Sequence, residues 1–156
     1  MKTLLKYYAF LTCVVSYLQS PFLLVIRLYW GWQFFLTGKG KLMNLDKTAD
    51  YFQSLSIPLP KLNAIMAGGT ECFGGLLLLL GLGSRLVSIP LAGTMVVAYL
   101  TADSNAVKTI FTKPDDFVTA PPFLFLLASL MVLVFGPGAF SLDRLISKIS
   151  GKTKSI

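Results

Sequence analysis

"GGTECFGGLLLLLG", Gly68 to Gly81, holds one ionisable group, Glu71, and four glycines, Gly68, Gly69, Gly74 and Gly75, flank it. A carboxylate in such a run means one thing in water and another in lipid, so the solvent has to be settled first. The 156-residue chain is 54% hydrophobic and 13% charged, about half the charged share of an ordinary soluble domain. Its mean hydropathy is +0.70. That composition leaves too little polar surface to cover a core. The charges gather at the ends of apolar segments, where Lys and Arg meet lipid headgroups. The bilayer is the implied solvent, and the length allows one domain, 1–156. The net charge of +7 does not point to nucleic acid, because that needs Lys and Arg collected on a soluble face.

Outward from the quoted stretch, four apolar spans emerge, at about 22–38, 63–82, 86–101 and 121–140. A crossing needs ~20 apolar residues at a rise of ~1.5 Å each. The second and fourth spans reach that length, and the first and third need their flanks. Pro121 and Pro122 suit a helix's first turn, and Gly136-Pro137-Gly138 should stop or bend the fourth span. The short 82–85 connection makes spans two and three a hairpin. The fold class expected is all-α, an integral membrane four-helix bundle.

Three further segments complete it. Residues 1–21, "MKTLLKYYAFLTCVVSYLQSP", have a signal peptide's basic start and apolar run but no small-x-small cleavage site before Pro21. They are expected to stay as an N-terminal helix that continues into or abuts the first span. Between spans one and two, Asp46 can cap a short amphipathic helix with Ala49, Phe52 and Leu55 on its apolar side. Ile57-Pro58-Leu59-Pro60 then forces an extended exit. Residues 103–119 form a polar loop, and 141–156 a basic tail. Basic residues divide almost evenly between the two membrane sides, and the compact tail tips both termini toward the cytoplasmic face of the cell membrane.

On a helix, Glu71 shares its face with Ala67, Gly68, Gly74, Gly75 and Leu78, nearly all small. Small faces let helix backbones approach closely in lipid, so the carboxylate points into the bundle. A lone charge at the bilayer centre costs ~3 kcal/mol and usually takes a partner. The partner expected is Arg27, whose face carries Leu23, Leu24, Trp30, Gly31 and Phe34. Arg27 lies ~7.5 Å into span one and Glu71 ~16 Å from the same side, an offset two extended side chains can cover. Gln33 and Thr70 are further hydrogen-bonding groups in reach. Such a buried Arg27–Glu71 pair could pin the helices in register or form a proton or substrate site. The sequence leaves both open.

These residues also carry a family resemblance. "LLVIRLYWGWQFFLTGKGKL" (23–42), the "SIPLP" before span two, Glu71 followed by "GGLLLLLGLGSRL" (74–86), and "GPGAFSLDRL" (136–145) together resemble the DoxX family. The matching positions are Arg27, Gly31, Gly38, Lys41, Glu71, Gly74, Gly75, Gly81, Arg85, Ser141 and Asp143. The resemblance covers residues 23 to 145 and implies a small four-helix membrane protein. Members include DoxD-type subunits of thiosulfate:quinone oxidoreductase and a protein in an oxidoreductase complex with superoxide dismutase and a sulfurtransferase. Many members have no established activity.

The chain's own chemistry is sparse. With no His, His-ligated haem and the common His-based metal and acid–base sites are excluded, and no metal site is expected. Cys13 and Cys72 form no C-x-x-C motif; Cys72 reads as a small packing residue, and a disulfide between them is not expected. "GKGK" (38–41) lacks the rest of a phosphate loop, so Lys39 and Lys41 are expected at lipid phosphates. Trp30, Gly31, Gln33, Phe34, Gly74 and Gly75 could wall a pocket for a quinone-like ring, although packing and interface anchoring are the commoner roles for membrane aromatics. The resemblance favours a membrane subunit of a redox-linked complex of quinone or sulfur metabolism. It would have no redox centre of its own, a soluble partner protein would supply the chemistry, and the catalytic residues are not identifiable. The alternatives are an assembly or interaction protein, and a small-solute or proton conduit.

Overall fold

The computed structural model describes residues 2–149, and those residues form helices joined by short turns. The elements are α1 (Lys2–Met43), α2 (Leu45–Ser54), α3 (Pro60–Leu80), α4 (Ser84–Thr101), α5 (Ser104–Lys108), α6 (Pro114–Thr119), α7 (Pro122–Phe135) and α8 (Leu142–Ile149). There is no strand among the described residues. The expected all-α membrane bundle is what forms: α1, α3 and α4 are long and apolar enough to cross a membrane. They pack with α7 as four helices, α1 against α3 and α4 against α7, with the α3–α4 hairpin between the pairs. The core is Phe34, Leu78, Leu91, Met95 and Val132.

Segment 1–21 and the first span form one helix from Lys2 onward, running through Pro21. At 42 residues it is ~63 Å long, about twice the hydrocarbon thickness. Its first half leaves the bundle behind, and Tyr7, Phe10, Tyr17 and Phe22 are exposed there. The fourth span is shorter than its apolar run. α7 stops at Phe135 because Gly136 (φ 79°) and Gly138 (φ 78°), either side of Pro137, are left-handed, a conformation glycine enters without a Cβ penalty.

The surface element differs from expectation in one detail. Asn44, not Asp46, stands at the N-cap of α2, one residue after α1 ends. Asp46 lies in the first turn, where a carboxylate suits the helix dipole, and accepts from Lys61 of α3 at 3.1 Å. Ala49 is buried, and Phe52 and Leu55 are half-buried. The polar loop 103–119 contains the one-turn helices α5 and α6. The basic tail begins as α8, and residues 150–156 lie outside the described residues.

The α1–α3 contact sets the positions of every charge discussed below. Gly31 and Gly38 on α1 meet Gly75 and Gly68 on α3, and each pair of glycines is seven residues apart in its own helix. A Cβ on Gly31 would stand 2.9 Å from the Leu79 amide nitrogen, and one on Gly75 would stand 2.7 Å from the Gly31 oxygen. The two backbones touch. This close approach locks an antiparallel register, in which Gly31 faces Gly75 and Gly38 faces the Gly68–Cys72 turn.

Candidate functional site

Arg27 is 1% exposed and works at the end of the bundle where α3 turns into α4. Its Nε donates to the Leu78 oxygen at 3.1 Å and its Nη2 to the Leu79 oxygen at 3.3 Å. Nη1 donates to the Phe140 oxygen at 3.1 Å and to the Pro137 oxygen. The last carbonyls of a helix have no partners inside it and carry the negative end of its dipole. A guanidinium brings five donors in a planar fork and stays charged, so it meets both needs. Asp143 closes the same knot from the other side. Its carboxylate accepts from the Gly83 and Ser84 amides at 2.7 and 3.2 Å, which start α4, and its own amide donates to the Gly81 oxygen at 3.0 Å. The charges and backbone groups of this cluster answer one another, and the buried Ser84 hydroxyl beside them has no hydrogen-bond partner.

Glu71 sits elsewhere. It is 2% exposed, and its Oε1 accepts from Lys41 Nζ, whose side chain is 30% exposed. The expected Arg27–Glu71 pair therefore does not form, although both side chains are buried. The glycine register explains why. Arg27 stands level with the end of α3 near Gly81, ten residues or ~15 Å along the helix from Glu71, which is beyond the reach of both side chains together. Lys41 starts level with Gly68 and covers the one remaining turn. It reaches into the bundle rather than out to lipid phosphates as expected. Glu71 Oε2 has no hydrogen-bond partner.

That carboxylate is on the wall of a cavity of about 640 Å³, within the size range of small-molecule sites. Thr37 and Lys41 of α1, Phe52 and Leu55 of α2, Met66, Ala67 and Thr70 of α3, Met95 and Ala98 of α4, and Phe125 of α7 contribute to the lining. Met66, Gly93 and Val97 stand at its edge and are exposed on the outer faces of α3 and α4. Tyr51, Ala102 and Pro121 also line it and are exposed at the end of the bundle, so its wall reaches both the outer face of α3 and α4 and that end. The half-buried face of α2 covers the cavity near one end of the bundle.

The pocket expected around Trp30, Gly31, Gln33, Phe34, Gly74 and Gly75 is not this cavity. Phe34 is wholly buried in the core, Gly31 and Gly75 are consumed by the backbone contact, and Gly74 packs on Leu91. Trp30 stacks edge-on to Tyr29 and Phe125 with centroids 5.1 and 4.9 Å away. Gln33 is half-buried but forms no part of the cavity wall. These side chains fill space where the helices are closest. Cys72 packs by the Gly38 backbone, and both cysteines are free. Sequence reasoning put Arg27 ahead of Lys41 as the partner of Glu71. The available signal was the matched seven-residue glycine spacing, which fixes the register.

Comparison with known proteins follows the same ground. The DoxX family model matches residues 22–104. "Inner membrane protein YphA" of Escherichia coli (strain K12) is 30% identical over 78% of this chain and 88% of its own length. "Uncharacterized membrane protein Rv3486" of Mycobacterium tuberculosis (strain ATCC 25618 / H37Rv) is 32% identical over 82% of this chain and 83% of its own. A protein of Bacillus subtilis (strain 168) that carries the name "Putative oxidoreductase CatD" is 29% identical over 80% of this chain and 87% of its own. No solved structure matches the chain.

Proposed function

Since this chain belongs to the DoxX family of membrane proteins, we propose that it is the membrane subunit of a redox-linked complex, presenting a quinone-type molecule to a soluble partner protein that supplies the electron chemistry. The observation that carries this is the mostly apolar cavity with the buried Lys41–Glu71 pair on its wall and Asp103 at its end. A quinone ring is apolar with polar ends, and it reaches its sites by lateral diffusion in the bilayer. A side opening between α3 and α4 suits that route, and a few convergent polar groups in an apolar pocket are what orient such a ligand. The oxidoreductase name of one relative agrees in direction. The chain passes through the cell membrane several times, with both termini on the cytoplasmic side.

The test is photolabelling of the full chain in native-lipid membranes with an azido-benzoquinone. Adducts on the cavity side of α3 and α4, at Met66 and Val97, suppressed by excess unlabelled ubiquinone-1, are expected. Adducts spread evenly over the outer faces of the bundle, unaffected by competitor, would overturn the proposal.

A further inference from the structure

We propose that the cavity discriminates the redox state of its ring ligand, holding the hydroxyl-bearing reduced form through a hydrogen bond from the ligand's O–H to Glu71 Oε2. This rests on the preceding proposal that a quinone-type ring occupies the cavity.

Donors and acceptors around Glu71 do not balance. Glu71 is nearly fully buried, and one of its two oxygens is unmatched. A buried acceptor without a donor is costly, and native structures rarely leave one except where a ligand or water completes the site. No group on the wall donates to Oε2 in this structure. The hydroxyl of Thr37 donates to the Phe34 oxygen at 3.0 Å and that of Thr94 to the Leu91 oxygen at 2.7 Å. The Thr101 hydroxyl donates to the Val97 oxygen at 2.8 Å, and the Asn63 amide donates to the Pro58 oxygen at 2.6 Å. Lys41 Nζ is on Oε1. These donors are spent on backbone carbonyls or on the other carboxylate oxygen, and the Thr70 and Tyr51 hydroxyls, also on the wall, do not donate to Oε2, which leaves that oxygen open to a donor carried by the occupant.

The two redox forms of a quinone differ in just this respect. An oxidised ring offers carbonyl oxygens, which accept and never donate. A reduced ring offers hydroxyls, which do both. The Lys41 ammonium donates to Oε1, so Oε2 is the acceptor left facing an occupant. Against Oε2 a quinone carbonyl places acceptor against acceptor, whereas a quinol hydroxyl places donor against acceptor. A hydrogen bond to a charged group in an apolar surrounding is worth about tenfold or more in affinity. The ring's apolar contacts are the same for both forms and cancel in the comparison.

The experiment uses the full chain in lipid nanodiscs and three probes of almost equal shape. They are tetramethyl-1,4-hydroquinone under anaerobic conditions, tetramethyl-1,4-benzoquinone, and the hydroquinone's dimethyl ether, which keeps the ring but has no donor. Calorimetric affinities, corrected with empty nanodiscs for partition into lipid, are expected to favour the hydroquinone over both others by about tenfold or more. In Glu71→Gln the preference should fall to about twofold or less, since an uncharged amide can turn either a donor or an acceptor toward the ring. The dimethyl ether needs no variant, so the test stands even if Glu71→Gln folds poorly. Equal binding of the hydroquinone and the quinone would overturn redox discrimination and leave the quinone cavity standing, with a water on Oε2. Hydroquinone and dimethyl ether binding alike would also overturn it. Failure of all three probes to bind would remove both proposals together.

Discussion

Removal of Lys41 should destabilise the bundle far more than removal of Glu71, and neither effect should depend on Arg27. In Lys41→Met the carboxylate stays in place, 2% exposed, with both oxygens unmatched. Stranding one member of a buried pair costs about 3–5 kcal/mol. In Glu71→Gln the survivor is Lys41, whose side chain is already 30% exposed and can swing its ammonium outward along a flexible stem, so the loss should be about 1–2 kcal/mol. The double variant Lys41→Met/Glu71→Gln strands no charge and should recover about 1–3 kcal/mol relative to the sum of the single losses. Arg27→Gln is a separate event. It releases carbonyls of Leu78, Leu79, Pro137 and Phe140 and should cost about 3–5 kcal/mol. Because Arg27 and Glu71 are separated by ~15 Å of helix, Arg27→Gln/Glu71→Gln should match the sum of its parts within ~0.5 kcal/mol. Equilibrium unfolding in mixed maltoside and dodecyl sulfate micelles, followed by circular dichroism, gives all six values. A coupling above about 1 kcal/mol between Arg27 and Glu71, or none between Lys41 and Glu71, would refute the register on which this rests.

The same unfolding assay checks the glycine contacts: Gly38→Ala and Gly75→Ala should lose about 3 kcal/mol or more as backbones are forced apart. Gly40→Ala and Gly69→Ala, where an added methyl meets nothing within 4 Å, should gain about 0.5–1 kcal/mol from helix propensity. Asp143→Ala removes the acceptor at the start of α4 and should cost about 1–2 kcal/mol, with hydroquinone affinity unchanged because the cavity lies elsewhere. With Cys13 and Cys72 replaced, single cysteines at Lys108 and Lys148 should label from opposite membrane faces with an impermeant maleimide; labelling from one face would sink the proposed topology.

Much of the fold was legible because the bilayer imposes coarse rules. Apolar runs, the Leu82–Arg85 turn, the two prolines before α7 and the Gly136-Pro137-Gly138 stop each have a local cause that needs no partner. The short helix after α1 was visible for the same reason, in the spacing of Ala49, Phe52 and Leu55. Its N-cap was misplaced because capping depends on where the preceding helix ends, and α1 runs on to Met43, leaving only Asn44 between them. Burial of Arg27 and Glu71 was legible too, since an ionisable group among small residues in lipid has nowhere else to go. Their pairing was not, because depth counted from span ends carries an error as large as the quantity sought. The first span has no true end at residue 22, being the middle of a longer helix. Matching Gly31 and Gly38 to Gly75 and Gly68 measures relative depth instead of absolute depth, and it moves Arg27 to the end of α3 while bringing Lys41 within reach of Glu71.

The two buried charges then separate by how completely they are answered. Arg27 is ringed by carbonyls that would be orphans without it, and Asp143 answers the adjacent amides. The unmatched buried group at that end, the Ser84 hydroxyl, is uncharged and is not on the cavity wall. Glu71 is half answered. A bundle needing only a pin between α1 and α3 already has one in the glycine contact, and a Leu at position 71 would fill space without the cost of burying a carboxylate. A carboxylate at that position, bonded to Lys41 through one oxygen and lying on the wall of a cavity, loses stability that an apolar side chain would have kept. That loss is why the proposed ligand contact is placed at position 71 rather than at position 27.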